Sequence, residues 1–180
     1  MEDLSLHLLD IMENSLNAQA SRIEVRIEED PESDLLTLEI ADDGKGMDAE
    51  TLQNAANPFF TTRTTRRYGL GLSMLSESAK ATGGKMTVDS TPKKGTRVVA
   101  TFRPSHIDMK PLGDVPQTLL TLIAGHPEIE LCYHHTVAGN TFSFSTAETT
   151  GAIGSVQTLR RIEERLRKGL QRLRKPGGAS

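Results

Sequence analysis

The spacing of apolar positions changes several times along this chain, and each change predicts a new element. Residues 4–20 follow a helical period started by Glu2 and Asp3. At about 100° per residue, Leu8, Met12, Ser15 and Leu16 fall on one side. Asp10, Glu13, Asn14 and Asn17 share a stripe on the other side, so four polar groups face away from the expected core. Two alternating runs follow, 23–27 and 36–40, separated by Asp30-Pro31-Glu32-Ser33-Asp34, which predicts an antiparallel strand pair. A helix over 70–82 should stop at Gly83-Gly84. Strands are predicted over 85–89 and 96–102, with Pro92-Lys93-Lys94-Gly95 as their turn. About four strands backed by helices on one face is the simplest packing of this order.

After Arg103-Pro104 the periodicity lapses. Residues 105–116 read as a linker, and 117–180 as a small α-β-β-α extension. Its parts are a helix over 117–124, strands over 130–137 and 141–145 joined by Ala138-Gly139-Asn140, and a terminal helix. Val156, Leu159, Ile162, Leu166, Leu170 and Leu173 form a stripe on that helix, a docking face for the body or for a second copy in a homodimer. No internal repeat is visible.

Composition narrows the class. A 180-residue chain that is 36% hydrophobic and 25% charged is expected to be globular and soluble. No run approaches the ~18 apolar residues of a membrane span, and one cysteine, Cys132, fits a reducing compartment. A cytoplasmic location without membrane contact is the expectation. The net charge of −3 argues against nucleic acid as a partner. Residues 155–180 nevertheless hold eight Arg and Lys against two Glu, which suits either a solvated helix face or an acidic partner.

Four short blocks carry candidate chemistry. In Asp42-Asp43-Gly44-Lys45-Gly46, the glycines let the backbone approach a flat ligand, and Asp42 is an acceptor suited to an exocyclic amine. Alone, such a block is more often an acidic turn. Gly69-Leu70-Gly71 opens a helix, where free N–H groups favour phosphate, although a plain helix start reads the same way. It is neither a Walker loop nor a complete dinucleotide fingerprint. Between these blocks, Pro58 to Tyr68 interleaves Thr61, Thr62, Thr64 and Thr65 with Arg63, Arg66 and Arg67, suited to closing over phosphates or to lying exposed. Asn14 offers a carbonyl oxygen on a rigid helix for magnesium, and Asp10 one turn earlier could act as a base. A polar helix face alone is commonly just solvated. Cys132 and His134 share one strand face while His135 takes the other, and no fourth ligand suggests a metal site.

Taken in order, these blocks resemble the GHKL ATPases, which share the Bergerat nucleotide-binding fold. That superfamily includes histidine-kinase catalytic domains, type II topoisomerases, mismatch-repair ATPases, a heat-shock chaperone and anti-sigma-factor serine kinases. Leu9 to Ala18 resembles the asparagine-bearing helix, with Asn14 in the magnesium place, and Asp42, Gly44 and Gly46 resemble the adenine block. Pro58 to Arg63 and Tyr68 to Ser73 look most like the histidine-kinase versions, with Gly83-Gly84 and Gly95-Thr96 completing the pattern. The resemblance covers about residues 5–103.

The resemblance implies an α+β fold: a Bergerat-type α/β sandwich, its mixed sheet backed by helices, over 1–104, followed by the linker and the C-terminal α+β extension. It implies ATP and Mg²⁺ as ligands. Asn14, Asn17, Asp42, Gly44, Gly46, Met47, Thr61, Thr62, Arg63, Arg66, Gly69, Leu70, Gly71, Leu72 and Thr96 would contact the nucleotide, and Asp10 would be the catalytic candidate. Asp10 stands where histidine kinases usually have Asn, which brings the helix closer to the ATPase and serine-kinase branches. With no acceptor hairpin before the first helix and His7 inside it, the expected activity is phosphorylation of a separate signalling partner. An ATPase switch, or an anti-sigma-like kinase or regulator that controls its partner through ATP-dependent binding, is the alternative.

Overall fold

In a computed structural model of the chain, residues 3–55 and 66–175 are described, with the backbone alone at 66–69. Among them, a six-stranded mixed sheet lies under five helices. The helices are α1 (Leu4–Asn17), α2 (Ala49–Ala55), α3 (Arg66–Ala81), α4 (Val115–Gly125) and α5 (Val156–Leu173). The strands are β1 (Arg22–Asp30), β2 (Leu35–Asp42), β3 (Met86–Thr91), β4 (Gly95–Phe102), β5 (Glu130–Val137) and β6 (Asn140–Ser145), in the order β3-β4-β2-β1-β5-β6. Among the described strands only the β1–β5 pair is parallel.

Strand alternation explains the two layers. Ile23, Val25 and Ile27 of β1, Leu36, Leu38 and Ile40 of β2, Val98, Ala100 and Phe102 of β4, and Leu131 and Tyr133 of β5 share one register and are buried. Leu4, Leu8, Ile11 and Met12 of α1, Leu75 of α3, Leu119 of α4 and Leu166 of α5 close over them. The opposite sheet face carries charges such as Glu39, whose carboxylate accepts from Arg97 Nε at 2.7 Å. The mixed sheet with helices on one face is therefore the architecture the sequence led one to expect, with two strands more.

Those two strands come from the C-terminal part. β5 runs beside β1 with Val25 opposite Tyr133, extending the expected four-stranded sheet to six. The apolar stripe of α5 meets the body: Ile162 and Leu166 are buried, whereas Val156 at the start of the helix is exposed. Arg167 of α5 reaches Asp114 at 3.2 Å, and Asp114 in turn caps α4 by accepting from Gln117 N. The segment read as a linker is also fastened. Pro111 and Leu112 carbonyls accept from the N–H groups of Leu4 and Ser5, satisfying part of the free start of α1.

Boundaries shift for local reasons. α1 ends at Asn17 rather than 20, because Gln19 has φ +60° and Ala20 N turns back to Ser15 O. α3 begins at Arg66 rather than 70, so Gly69 lies in its first turn and Gly71 inside the helix. No helix among the described residues is long and apolar enough to cross a membrane.

Candidate functional site

The site forms where the end of β2 meets the face of α1. Asp42 closes β2, and alternation turns its side chain to the helix side, one step beyond buried Ile40. Its Oδ2 accepts from Ser15 Oγ of α1 at 2.6 Å, and its Oδ1 accepts from Gly44 N at 2.9 Å and Thr96 N at 3.3 Å. A carboxylate offers about four acceptor positions, so one remains for a ligand. Asp43, its neighbour, is committed elsewhere. It accepts from Ser21 N, Ser21 Oγ and Arg22 N at 2.6–2.9 Å. Burial pushes the Asp43 carboxyl up, but these bonds outweigh it and hold the group below the usual carboxylate range. Of the two adjacent acids, only Asp42 faces the cavity.

The cavity beside Asp42 measures about 330 Å³. Ile11, Ile40, Leu72 and Val98 supply apolar walls, while Asp42, Thr96, Ser15 and Asn14 supply polar groups. This mixture suits a flat heteroaromatic ring with a polar edge. Gly46 holds the loop that forms one wall: its φ is +67°, and a Cβ there would lie 2.0 Å from Thr91 O. Met47 then packs at the rim with its N–H donating to Ser90 Oγ at 2.8 Å, and Ser90 also pairs with Thr96 Oγ1 at 2.8 Å. Asp48 and Thr51 complete the rim. Asp48 caps the following turn, and the Thr51 backbone bond, then its hydroxyl, holds the Asp48 carboxyl below its ordinary value.

Asn14 sits at the junction of two spaces. It lines the apolar cavity and also a wider, more open cleft of about 650 Å³ bounded by Asp10, Glu13, Asn17, Leu70, Gly71, Met74 and His126. Its Nδ2 is buried and, among the described residues, has no hydrogen-bond partner. A buried, unpaired amide costs roughly 1–3 kcal/mol, so its persistence calls for a ligand that supplies the missing bond. Rotation of the amide by half a turn presents the carbonyl oxygen instead, the donor a hard cation such as Mg²⁺ requires. The donor set therefore fits a metal-bound phosphate chain.

Gly71 lies further into its helix than the sequence reading placed it. Its N–H lies within α3, not at the free start of the helix; what it supplies is space. A Cβ there would stand 3.2 Å from Asp10 Cβ and 3.7 Å from Asn14 Nδ2, narrowing the passage between the two spaces. Leu72 is buried in the first cavity, and Leu70 is exposed on the second. Gly44 presses on Ala18, whose carbonyl accepts from Lys45 N at 2.9 Å. Asp10 and Asn17 are exposed on the cleft. Thr61, Thr62 and Arg63 lie outside the described residues, and Arg66 and Gly69 are placed by their backbone in the first turn of α3. His7 is buried, with Nε2 at 3.3 Å from Ser78 Oγ.

Sequence reasoning missed three parts of this site. Ser15 falls on the core side of the helical wheel, yet that side reaches Asp42. Ser90 gave no signal beyond a polar strand position. His126 was unremarkable at a helix end, yet α4 packs on α1 and delivers it to the cleft.

Known proteins resemble this chain in sequence and in fold. A sensor kinase (CckA) of Brucella abortus is 40% identical over 87 residues, 48% of this chain and 9% of its own length. A putative sensor protein of Shewanella frigidimarina is 36% identical over 97 residues, 53% of this chain and 15% of its own. The chain thus spans a small part of the curated relatives it matches. In fold, the N-terminal domain of a DNA repair protein matches with a TM-score of 0.56 at 16% identity, covering 99% of this chain and 58% of that one. The Aquifex aeolicus MutL ATPase domain complexed with ADP matches with a TM-score of 0.50 at 16% identity, covering 95% and 70%. These two fold matches extend through β5, β6 and α5. Residues 2–106 match the histidine kinase-, DNA gyrase B- and HSP90-like ATPases, and the chain belongs to that family.

Proposed function

We propose that this protein binds ATP with Mg²⁺ and transfers the terminal phosphoryl group to a partner protein in signalling. The observation that carries the reading is the amide of Asn14, without a partner among the described residues and buried where an apolar, ring-sized cavity opens into a polar cleft. In this reading the adenine lies among Ile11, Ile40, Leu72 and Val98, with its exocyclic amine donating to Asp42. The triphosphate passes Asn14 and Gly71 into the cleft. Asn14 would hold Mg²⁺, which neutralises phosphate charge when bound. Asp10 and Asn17 border the terminal phosphate, and Thr61, Thr62, Arg63 and Arg66 would close over it. Similarity to sensor kinases favours transfer to a protein, whereas the fold shared with a MutL ATPase domain favours hydrolysis coupled to partner binding.

Calorimetry with ATP and Mg²⁺ tests the core of this reading. Asp42→Asn keeps an acceptor for Gly44 and Thr96 while removing the charge that meets the adenine amine. Affinity should fall ten- to a hundred-fold, since a charge-assisted bond is worth about 1.5–3 kcal/mol. Equal affinity in the variant would remove Asp42 from the base site. Labelled γ-phosphate then separates transfer to a co-purified partner from release as free phosphate.

A further inference from the structure

Among the described residues, the polar cleft is lined by one histidine, which the reading above does not use. His126 follows α4, with its N–H donating to Leu122 O at 2.9 Å and its carbonyl accepting from Ile129 N at 3.1 Å, so its backbone is held on both sides. Its ring lines the cleft together with Asp10, Glu13, Asn14 and Asn17. Glu128 Oε1 stands 3.3 Å from Nδ1, and among the described residues Nε2 has no hydrogen-bond partner. The side chain is 45% exposed, enough to admit a phosphate and to let a product leave.

We propose that His126 is a phosphorylation site of this chain: its Nε2 takes the terminal phosphoryl group of ATP bound in the adjoining cavity. The proposal rests on the ATP reading and deepens it by naming the first acceptor. A partner would then receive the group from His126.

The chemistry follows from the ring's surroundings. An imidazole with its proton on Nδ1 keeps a lone pair on Nε2, and a carboxylate accepting from Nδ1–H favours that tautomer. The Nε2 lone pair forms an N–P bond to the γ-phosphorus while the bond from phosphorus to the β–γ bridging oxygen breaks. That electron pair leaves on ADP. The positive charge gained by the ring is relieved as the Nδ1 proton passes to Glu128 and then to water. ATP and a neutral histidine thus become ADP, a phosphohistidine and one released proton, with no other reactant required.

His126 reaches the cleft because α4 packs against α1, the same helix that carries Asn14. Asn14 lines both spaces, so a nucleotide with its base against Asp42 and its phosphates past Asn14 would point its last phosphate into the space His126 borders. Near-attack geometry requires the reacting atoms to come within about 3–3.5 Å, and a half-exposed side chain on a held backbone keeps several rotamers with which to approach a phosphate in the cleft.

The test uses the full chain with γ-labelled ATP and Mg²⁺, quenched at alkaline pH because N–P bonds are acid-labile. The wild type should carry acid-labile label, with an added phosphate mass on the peptide containing residue 126. His126→Ala and His126→Gln should both lose at least nine-tenths of it while binding ATP within about threefold of wild type by calorimetry. His134→Ala, on the opposite face of the sheet, should keep it, and Glu128→Gln should label several-fold more slowly. Wild-type protein that binds ATP but stays unlabelled, or label that survives both His126 variants, overturns the proposal and leaves the ATP reading standing. Wild-type protein that binds no ATP overturns both.

Discussion

Two polar clusters lie under the helices at opposite ends of the sheet, one closed on itself and one open. At the far end from Asp42, Tyr133 and His135 of β5 are fully buried beside Glu29 of β1. Tyr133 Oη lies 2.6 Å from His135 Nδ1, and His135 Nε2 lies 2.6 Å from Glu29 Oε1, which also accepts from Arg174 at 3.2 Å. Burial first, and the Glu29 charge second, push the Tyr133 hydroxyl well above its ordinary value, so it stays a donor to the ring. Every group in this chain of bonds has a partner. At the Asp42 end, Asn14 keeps a buried amide without one among the described residues. The difference separates two uses of buried polarity. A completed cluster contributes to stability, whereas an incomplete one costs stability until a ligand arrives.

The largest expected effect follows from breaking the closed cluster. His135→Ala leaves the Tyr133 hydroxyl and the Glu29 carboxylate without their shared partner and opens a cavity between β5 and the helices. Loss of one member of a buried pair costs about 3–5 kcal/mol. Urea denaturation should therefore show destabilisation of at least about 3 kcal/mol, while the surviving folded protein binds ATP with unchanged affinity. If affinity falls together with stability, the two ends are coupled and the contrast between them fails.

How much of each cluster was legible follows from the physics of sequence patterns. The β1–β2 and β3–β4 pairs were visible because each is an alternating run joined by a turn. The β1–β5 pairing was not, since no local period tells Val25 that its neighbour will be Tyr133, over 100 residues away. For the same reason Glu29 and His135 looked unrelated. Helical periodicity placed Asn14, Asp10 and Asn17 on one stripe, but a wheel gives directions without neighbours, so the Ser15–Asp42 bond stayed hidden. Gly71 was read for its N–H, whereas the space left by its missing Cβ could not be read, because close approach of α3 to α1 is a fact of packing. α2 is too short, at seven residues, to establish a period.

The open cluster predicts a smaller effect of unusual sign. Asn14→Ala removes a buried group with an unmet hydrogen bond, so the desolvation it recovers offsets the packing it loses. Stability without nucleotide should stay within about 1 kcal/mol of wild type by the same urea titration, whereas affinity for ATP with Mg²⁺ should fall at least tenfold. A destabilisation of about 3 kcal/mol would mean that the amide is a structural member like His135, and the distinction would collapse.

The smallest effect concerns pH and belongs to the closed cluster alone. The hydrogen bond from His135 is the main cause holding the Glu29 carboxyl below its ordinary value of 4.5; burial opposes it, and the Arg174 charge assists. A carboxyl whose folded value is depressed contributes stability that is fully present above the unfolded value and is lost as pH falls through the folded one. The contribution should therefore be intact at pH 6 and decline progressively below about 4.5. Glu29→Gln has no such proton to take up, so its urea midpoint should start lower at pH 6 and fall less steeply below 4.5. Parallel curves for variant and wild type would show that Glu29 does not carry that part of the acid sensitivity. The same titration on Asp42→Asn isolates the Asp42 end: the acid-dependent loss assigned to Glu29 should persist there, because the two carboxylates sit at opposite ends of the paired strands β1 and β2.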